Sequence, residues 1–344
     1  MPDSLTPTTP LPPSGSTLDY AFIAKLQNVR PLVHLLKAIH FKERAQCVIT
    51  AQGVKFSIED SRSVQAHAYL QRQFFQDFRL ADQLLRSTAS AADSETTTPA
   101  TPTASDVEIA FSVQLNVLLG CLTIFSGSAS HHHGATNSPS SAAGGTMGPS
   151  AAVAGYHAPP PPANSGTYRG FTSLGWVVNR QGSELEFVLE ENEVISVCKL
   201  ATFEAEDMAE FNFGQNPVCD RLIIKSEVLR DALAELDPSS EKIAFGFYHH
   251  APHFRLSTTG MGGSTEVNFA KDTDIMEAFF CTEAHSVTYR FNQVKQALNA
   301  LVYSTKTSIR VNTQGFLSMQ FMIPADRTDS CFVELLCSPL HSSA

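Results

Sequence analysis

Apolar residues recur at i, i+3, i+4 and i+7 in four separate places along this chain. They are Leu32-Leu35-Leu36-Ile39, Leu115-Leu118-Leu119-Leu122, Leu229-Ala232-Leu233-Leu236 and Val294-Ala297-Leu298-Leu301. That spacing puts each set on one face of a short helix. A strand-like run precedes each helix: Tyr20 to Leu26, Val107 to Val113, Arg221 to Lys225 and Ser286 to Phe291. A strand, a tight turn and a second strand follow it. Gln52-Gly53 divides AQCVITA from VKFSIED, and Gln314-Gly315 divides SIRVNT from FLSMQFMI. Leu32 to Gly53 is 21 positions, Val294 to Gly315 is also 21, and His249-His250-Ala251-Pro252 forms the third turn at the same distance from Leu229.

The second copy departs from this spacing, because Leu115 to Gly182 spans 67 positions, an excess of 46. The tract from Ser126 to Gly170, rich in Ser, Gly, Ala, His and Pro, is 45 residues long. Removing it returns Gln181-Gly182 and the strand ELEFVLEE to register within one residue. With further strands from Ser63 to Leu70 and Val194 to Leu200, the chain reads as four copies of strand–helix–strand–turn–strand, two to a domain. Helices on one face of antiparallel sheets make an α+β architecture. The expected organisation is a disordered tail over residues 1–17 and an N-terminal domain over 18–200 with low-complexity insertions at 87–105 and 126–170. A linker at 201–217, a C-terminal domain at 218–338 and a tail at 339–344 complete it. The tail and insertions carry too little apolar surface to offset the entropy of ordering their backbone.

Composition narrows the function. The formal net charge of −10 argues against bulk electrostatic gripping of nucleic acid, so any DNA-facing surface must be local. No secretory leader pattern and no apolar run long enough to span a bilayer is present, which predicts a soluble protein with no membrane partner. Cysteines at 47, 121, 198, 219, 281, 331 and 337 show no CxxC pair. The reading is of reduced thiols in an intracellular compartment, with neither a disulfide framework nor a metal ligand set.

The segments LQNVRPLVHLLKAIHFKERAQCVITAQGVKFSIEDSRSVQAHAYLQRQFFQDF, LNVLLGCLTIF, LIIKSEVLRDALAELD, PHFRLSTTG, KDTDIMEAFFC and TQGFLSMQFMI go further than the repeat. They resemble the Rad-one-type subunit of the heterotrimeric DNA-damage checkpoint sliding clamp, the nine-one-one complex. The resemblance implies a DNA sliding-clamp fold, with helices lining the interior of a ring and antiparallel sheets outside. It implies a non-enzymatic nuclear subunit that needs no cofactor and encircles double-stranded DNA or a primer-template junction. Its implied partners are two other clamp subunits (Rad-nine type and Hus-one type), an ATP-dependent clamp loader, and repair and checkpoint client proteins. The absence of a GxxxxGK[ST] motif agrees with ATP work being done by a partner.

At about 100° per residue, the helix faces opposite the apolar stripes carry Arg30, His34 and Lys37, then Arg230 beside Asp231, then Lys295. By resemblance these face DNA, with Lys37, Arg230 and Lys295 ahead of His34 and Arg30. The second helix offers only Val117 and Gly120 there, so the lining is modestly basic. For client peptides, Met208, Phe211 and Phe213 of the acidic linker supply apolar anchors, and Val64 and Leu335 complete the pocket by resemblance. The rival readings are a metal-dependent 3′–5′ DNA exonuclease, for which Glu59 with Asp60 and Asp272 with Asp274 are the candidate carboxylates, and a homotrimeric replication clamp. His131-His132-His133 reads as compositional, and His249, His250 and His253 as a solvated turn.

Overall fold

A computed structural model describes residues 20–80, 109–125, 171–179, 184–211, 213–271, 274–325 and 329–340. The tail at 1–17, the tracts at 87–105 and 126–170, the Gln181-Gly182 turn and Asp272 lie outside the described residues. The first copy is β1 (Tyr20–Leu26), α1 (Arg30–Ala38), β2 (Arg44–Thr50), β3 (Gly53–Asp60) and β4 (Val64–Gln71), with a short β5 (Asp77–Leu80) after it. The second is β6 (Ile109–Gln114), α2 (Leu115–Leu122), β7 (Ser173–Asn179), β8 (Glu184–Glu191) and β9 (Val194–Ala201). The third is β10 (Val218–Lys225), α3 (Ser226–Glu235), β11 (Lys242–Phe247), β12 (Phe254–Gly260) and β13 (Gly263–Phe269), followed by β14 (Met276–Cys281). The fourth is β15 (His285–Arg290), α4 (Phe291–Val294), α5 (Ala297–Leu301), β16 (Lys306–Asn312), β17 (Leu317–Pro324) and β18 (Ser330–Cys337). The fold is α+β with antiparallel sheets, as the pattern predicts.

Copies exchange their first strands. β1 pairs with β7 of the second copy, and β6 returns to pair with β2 of the first. In the same way β10 pairs with β16 and β15 with β11. The exchange locks two copies into one unit, since neither can complete its sheet alone. β4 then pairs with β18 over Val64–Tyr69, and this joins the halves into one nine-stranded sheet running β14-β10-β16-β17-β18-β4-β3-β2-β6. A five-stranded sheet (β5-β1-β7-β8-β9) and a four-stranded sheet (β13-β12-β11-β15) complete the described strands.

The helices pack in one row, α2 on α1, α1 on α5 and α5 on α3, against strands of the long sheet. Their apolar stripes face that sheet: Leu32, Leu35, Leu36, Ile39, Leu115, Leu118, Leu122, Leu229 and Leu233 are at most 2% exposed. The fourth stripe departs from expectation, because Leu298 is only partly buried while Ala300 is 1% exposed. Bonds from Gln296 N to Gln293 O, Leu298 N to Lys295 O and Asn299 N to Gln296 O wind the chain in tight three-residue steps between α4 and α5. Such a turn advances each residue further round the axis than an α-helix does, and so rotates the stripe. Between the sheets of the N-terminal half, Trp176 is packed by Phe22, Phe56 and Phe187 at centroid distances of 5.6, 6.0 and 5.2 Å. At the β2–β3 turn Gly53 has φ +143°, and an added Cβ would lie 2.3 Å from Leu70 O, so the close approach of β4 requires glycine there. Among the described residues, no helix is long and apolar enough to cross a membrane.

Candidate nucleic-acid interface and docking surfaces

The outward side of the helix row carries the expected basic residues, but their surroundings differ. Lys37 is exposed in the last turn of α1, where its charge complements the helix dipole. Arg30 is exposed with its guanidinium 5.6 Å from the Phe171 ring. Arg230 donates to the carboxylate of its neighbour Asp231 at 2.9 and 3.0 Å, which offsets its charge. Lys295 donates to Pro238 O at 3.3 Å and lies 4.4 Å from the Phe291 ring centre. His34 stacks on Tyr303 at 4.8 Å, so it is a contact between halves, joined by Asn299 Nδ2 donating to His40 O at 3.3 Å. Burial, then the neighbouring Lys37 and Arg30, hold the His34 pKa below its ordinary value. Exposed Val117, Ile124 and Val302 on the same helices and their ends dilute the charge further.

The segment after β9 is tied down along its length. Phe203 exchanges two backbone bonds of 2.8 Å with Ser112 of β6, and Arg44 lies 4.3 Å over its ring. Glu59 Oε2 accepts from Ala209 N at 2.6 Å and from Gln65 Nε2 at 2.7 Å, while Gln65 Nε2 also donates to Ala209 O. Half-buried Met208 caps a cavity of about 120 Å³ that Arg44, Ser57, Glu59, Ser112 and Asp207 also line. Phe211 meets Phe316 edge-on at 5.8 Å, and Phe213 is 7% exposed beneath Arg310. Val64 and Leu335 are 1% and 2% exposed in the β4–β18 pair, because their side chains point into the core. The structure therefore leaves Met208 and Phe211 with surface to offer, and Phe213, Val64 and Leu335 without it.

Sequence reasoning missed the polar outer face of the long sheet. Glu334 accepts from Arg310 at 3.0 Å, from Ser318 at 2.7 Å and from Gln320 at 3.3 Å, across β16, β17 and β18. Ser57 bonds His67 Nδ1 at 2.8 Å beside it in the N-terminal half. The signal was present as polar residues alternating with apolar ones along these strands, but it does not say which polar residues meet.

Of the carboxylates considered for two-metal chemistry, Glu59 and Asp60 are otherwise engaged. Glu59 and Asp60 are consecutive on β3, so their side chains leave opposite faces of the strand. Glu59 holds the linker, and Asp60 pairs with Lys42 at 2.7 Å. Asp274 is described without Asp272. His253 Nδ1 accepts from Lys271 N at 3.2 Å at the end of its turn, while His249 and His250 are exposed.

Six described strands lie at sheet edges (β5, β6, β9, β13, β14 and β15), and of the four strands that close the copies, β4 and β18 pair with each other while β9 and β13 are left open. β9 pairs with β8 alone and β13 with β12 alone, and both are third strands of their hairpins. On β9, Val194, Ile195 and Val197 are 56%, 48% and 55% exposed. A family model described as "Repair protein Rad1/Rec1/Rad17" matches residues 21–323. The chain belongs to this family. It is 34% identical to the human "Cell cycle checkpoint protein RAD1" over 320 residues, 93% of this chain and 92% of that protein. The fission yeast Schizosaccharomyces pombe "DNA damage checkpoint control protein rad1" is 26% identical over 93% of this chain and 86% of its own length. The "DNA repair exonuclease REC1" of Mycosarcoma maydis is more distant, at 22% identity over 93% of this chain and 96% of that protein. The Rad1 family is the one the sequence segments resemble, and its members' names place it in checkpoint control and DNA repair.

Proposed function

We propose that this chain is the Rad1-type subunit of a three-subunit checkpoint clamp that closes around duplex DNA in the nucleus and presents a docking surface to checkpoint and repair proteins. The observation that carries the reading is that β9 and β13, the third strands of the second and third copies, lack the partner that β4 and β18 find in each other. An exposed strand edge carrying large apolar side chains is an aggregation hazard unless another chain covers it. Two different edges on one chain make a head-to-tail contact, which closes into a ring when the rotation permits. The helix row would then face the hole, with the long sheet outside. A Rad-nine-type and a Hus-one-type chain would supply the facing edges, and an ATP-driven loader would open the ring.

Co-expression with both partner types followed by sizing tests this. A single particle with one copy of each chain is expected. Val197→Lys should abolish that particle while the isolated chain keeps its circular dichroism and melting temperature, because Val197 is already exposed. A homotrimer, or a lone monomer that ignores both partners, would overturn the reading. The name of one relative keeps an exonuclease in view. The engagement of Glu59 and Asp60 disfavours it, and a Mg2+- or Mn2+-dependent loss of 3′ ends that disappears in Asp272→Asn would restore it.

A further inference from the structure

Among the described residues, one group of side chains has the composition of a metal site, and the clamp reading makes no use of it. Cys219 Sγ, a carboxylate oxygen of Asp220 and a ring nitrogen of His285 lie within 4.8 Å of one another. The fold assembles them from separate strands. β10 slips register against β16 between Val218 and Asp220, so Cys219 is the extra residue of a bulge. Bulges re-aim side chains, and this one brings Cys219 beside Asp220 instead of on the opposite face. Asp220 sits opposite Cys281 in the β10–β14 pair, so the Cys281 thiol, which donates to Glu283 O at 3.0 Å, is the next sulfur beside the carboxylate. Thr282 N and Oγ1 donate to Cys219 O at 3.1 and 2.7 Å and hold the next turn against the bulge. His285, at the start of β15, enters from the four-stranded sheet.

Protons alone leave this cluster poorly satisfied. His285 Nδ1 lies 2.8 Å from Glu283 O, and a carbonyl can only accept, so Nδ1 carries the hydrogen. In the neutral ring Nε2 then aims its lone pair at Asp220 Oδ2, 3.1 Å away. Two acceptors at that distance need a positive centre between them. The Asp220 side chain is fully buried, and its Oδ1 has no hydrogen-bond partner among the described residues. Cys219 Sγ points at Asp220 Oδ2 and Val311 O, both at 3.3 Å, with one proton to share. An imidazolium would answer the His285–Asp220 contact, yet it would leave Oδ1 unpaired and the converging thiols unexplained.

We propose that Cys219, Asp220 and His285, with Cys281 as fourth ligand, bind one zinc ion that pins the nine-stranded sheet to the four-stranded sheet. Mixed sulfur, nitrogen and oxygen donors in fourfold array suit Zn2+, whereas Mg2+ and Ca2+ call for more ligands, all of them oxygen. Zinc bonds of roughly 2.0–2.3 Å place tetrahedral ligands roughly 3.3–3.8 Å apart, close to the 3.1 and 3.3 Å that already separate Asp220 Oδ2 from His285 Nε2 and Cys219 Sγ. The two thiol protons leave to water as the metal replaces them. The Glu283 carbonyl on His285 Nδ1 is the outer partner that usually orients a metal-bound histidine.

The test uses full-length protein in which His131, His132 and His133 are changed to Ala, stripped with chelator and dialysed, then loaded with Zn2+ or Co2+. One equivalent of zinc should survive gel filtration and raise the melting temperature. Cobalt should give tetrahedral ligand-field bands and a thiolate-to-cobalt charge-transfer band. Cys219→Ser and His285→Ala should remove that band and weaken zinc binding by at least about tenfold to hundredfold, the loss that even an outer-shell partner causes. The His285 side chain is one-third exposed, so His285→Ala keeps the fold, and matched circular dichroism without metal checks this. Absence of the charge-transfer band in the parent, or its persistence in His285→Ala, overturns the proposal and leaves a His285–Asp220 ion pair.

Discussion

His67 shows what a single buried position does to the behaviour of the whole. It sits on β4 with its ring bonded to Ser57, and burial, then the Lys55 charge, lowers its pKa to about 4. An unfolded chain takes up that proton near pH 6.5, while the folded one does not until about pH 4. Between those values the unfolded state holds more protons, so stability rises with pH and is lost on acidification. The slope can reach about 1.4 kcal/mol per pH unit as an upper bound, reduced by the ring's partial exposure. Melting temperatures of wild type and His67→Gln should therefore converge or cross as pH falls from 6.5 toward 4, with the variant flatter in that window. Parallel curves would show that His67 titrates alike in both states. His34 is lowered in the same direction but by a different geometry, stacked between halves on Tyr303. Its helical position put it on the outward face with Lys37; nothing in the one-dimensional pattern shows that another helix end would cover it.

At the scale of elements, the connection between the halves is a bonded strap rather than a loose tether. Glu59 supplies one carboxylate oxygen to both Ala209 N and Gln65 Nε2. Hydrogen bonds to a charged group contribute about 1.5–3 kcal/mol each. Glu59→Ala should thus free the strap locally, with faster amide exchange at Ala209 and new protease cleavage between Glu206 and Phe211, while the core strands keep their protection. Unchanged exchange at Ala209 would mean that Phe203 and Phe213 alone hold the segment. Much of this architecture could be read beforehand. The stripes and their distance to a Gly-bearing turn gave copies, helices and hairpins, since those depend on local period. The strand exchange between copies and the register of β4 on β18 depend on contacts between residues far apart, which no local period encodes. The split of the fourth helix and the bulge at Cys219 are one-residue slips that a regular pattern hides. The same limit explains why evenly scattered cysteines read as unrelated, although β10, β14 and β15 gather two of them with an aspartate and a histidine.

For the molecule as a whole, the proposed clamp must reconcile a net charge of −10 with a surface turned toward DNA. The helix row does so sparingly. Asp231 offsets Arg230, Pro238 O draws Lys295 down, His34 is held toward its neutral form, and α2 adds no charge. Lys37 and Arg30 are left as its most open cations. In the proposed ring, retention on DNA then comes from topological linkage, and the phosphate contacts are weak and salt-sensitive. Lys37→Glu separates these two contributions. Removing one phosphate contact lowers the salt slope of binding by about 1, and the reversed charge adds repulsion. Assembled rings carrying Lys37→Glu should leave linear duplex with free ends faster than wild type at low salt, with the difference vanishing as salt rises. On a closed circle both rings should stay equally, because sliding leads nowhere. Lys295→Glu should have the smaller effect on linear DNA, since Lys295 already spends its charge on Pro238 O and the Phe291 ring. Retention on beads bearing linear or circular duplex measures all of this. Equal loss of Lys37→Glu from both substrates would place Lys37 in ring closure or loading instead of in the lining, and equal retention on both would remove it from the DNA-facing surface.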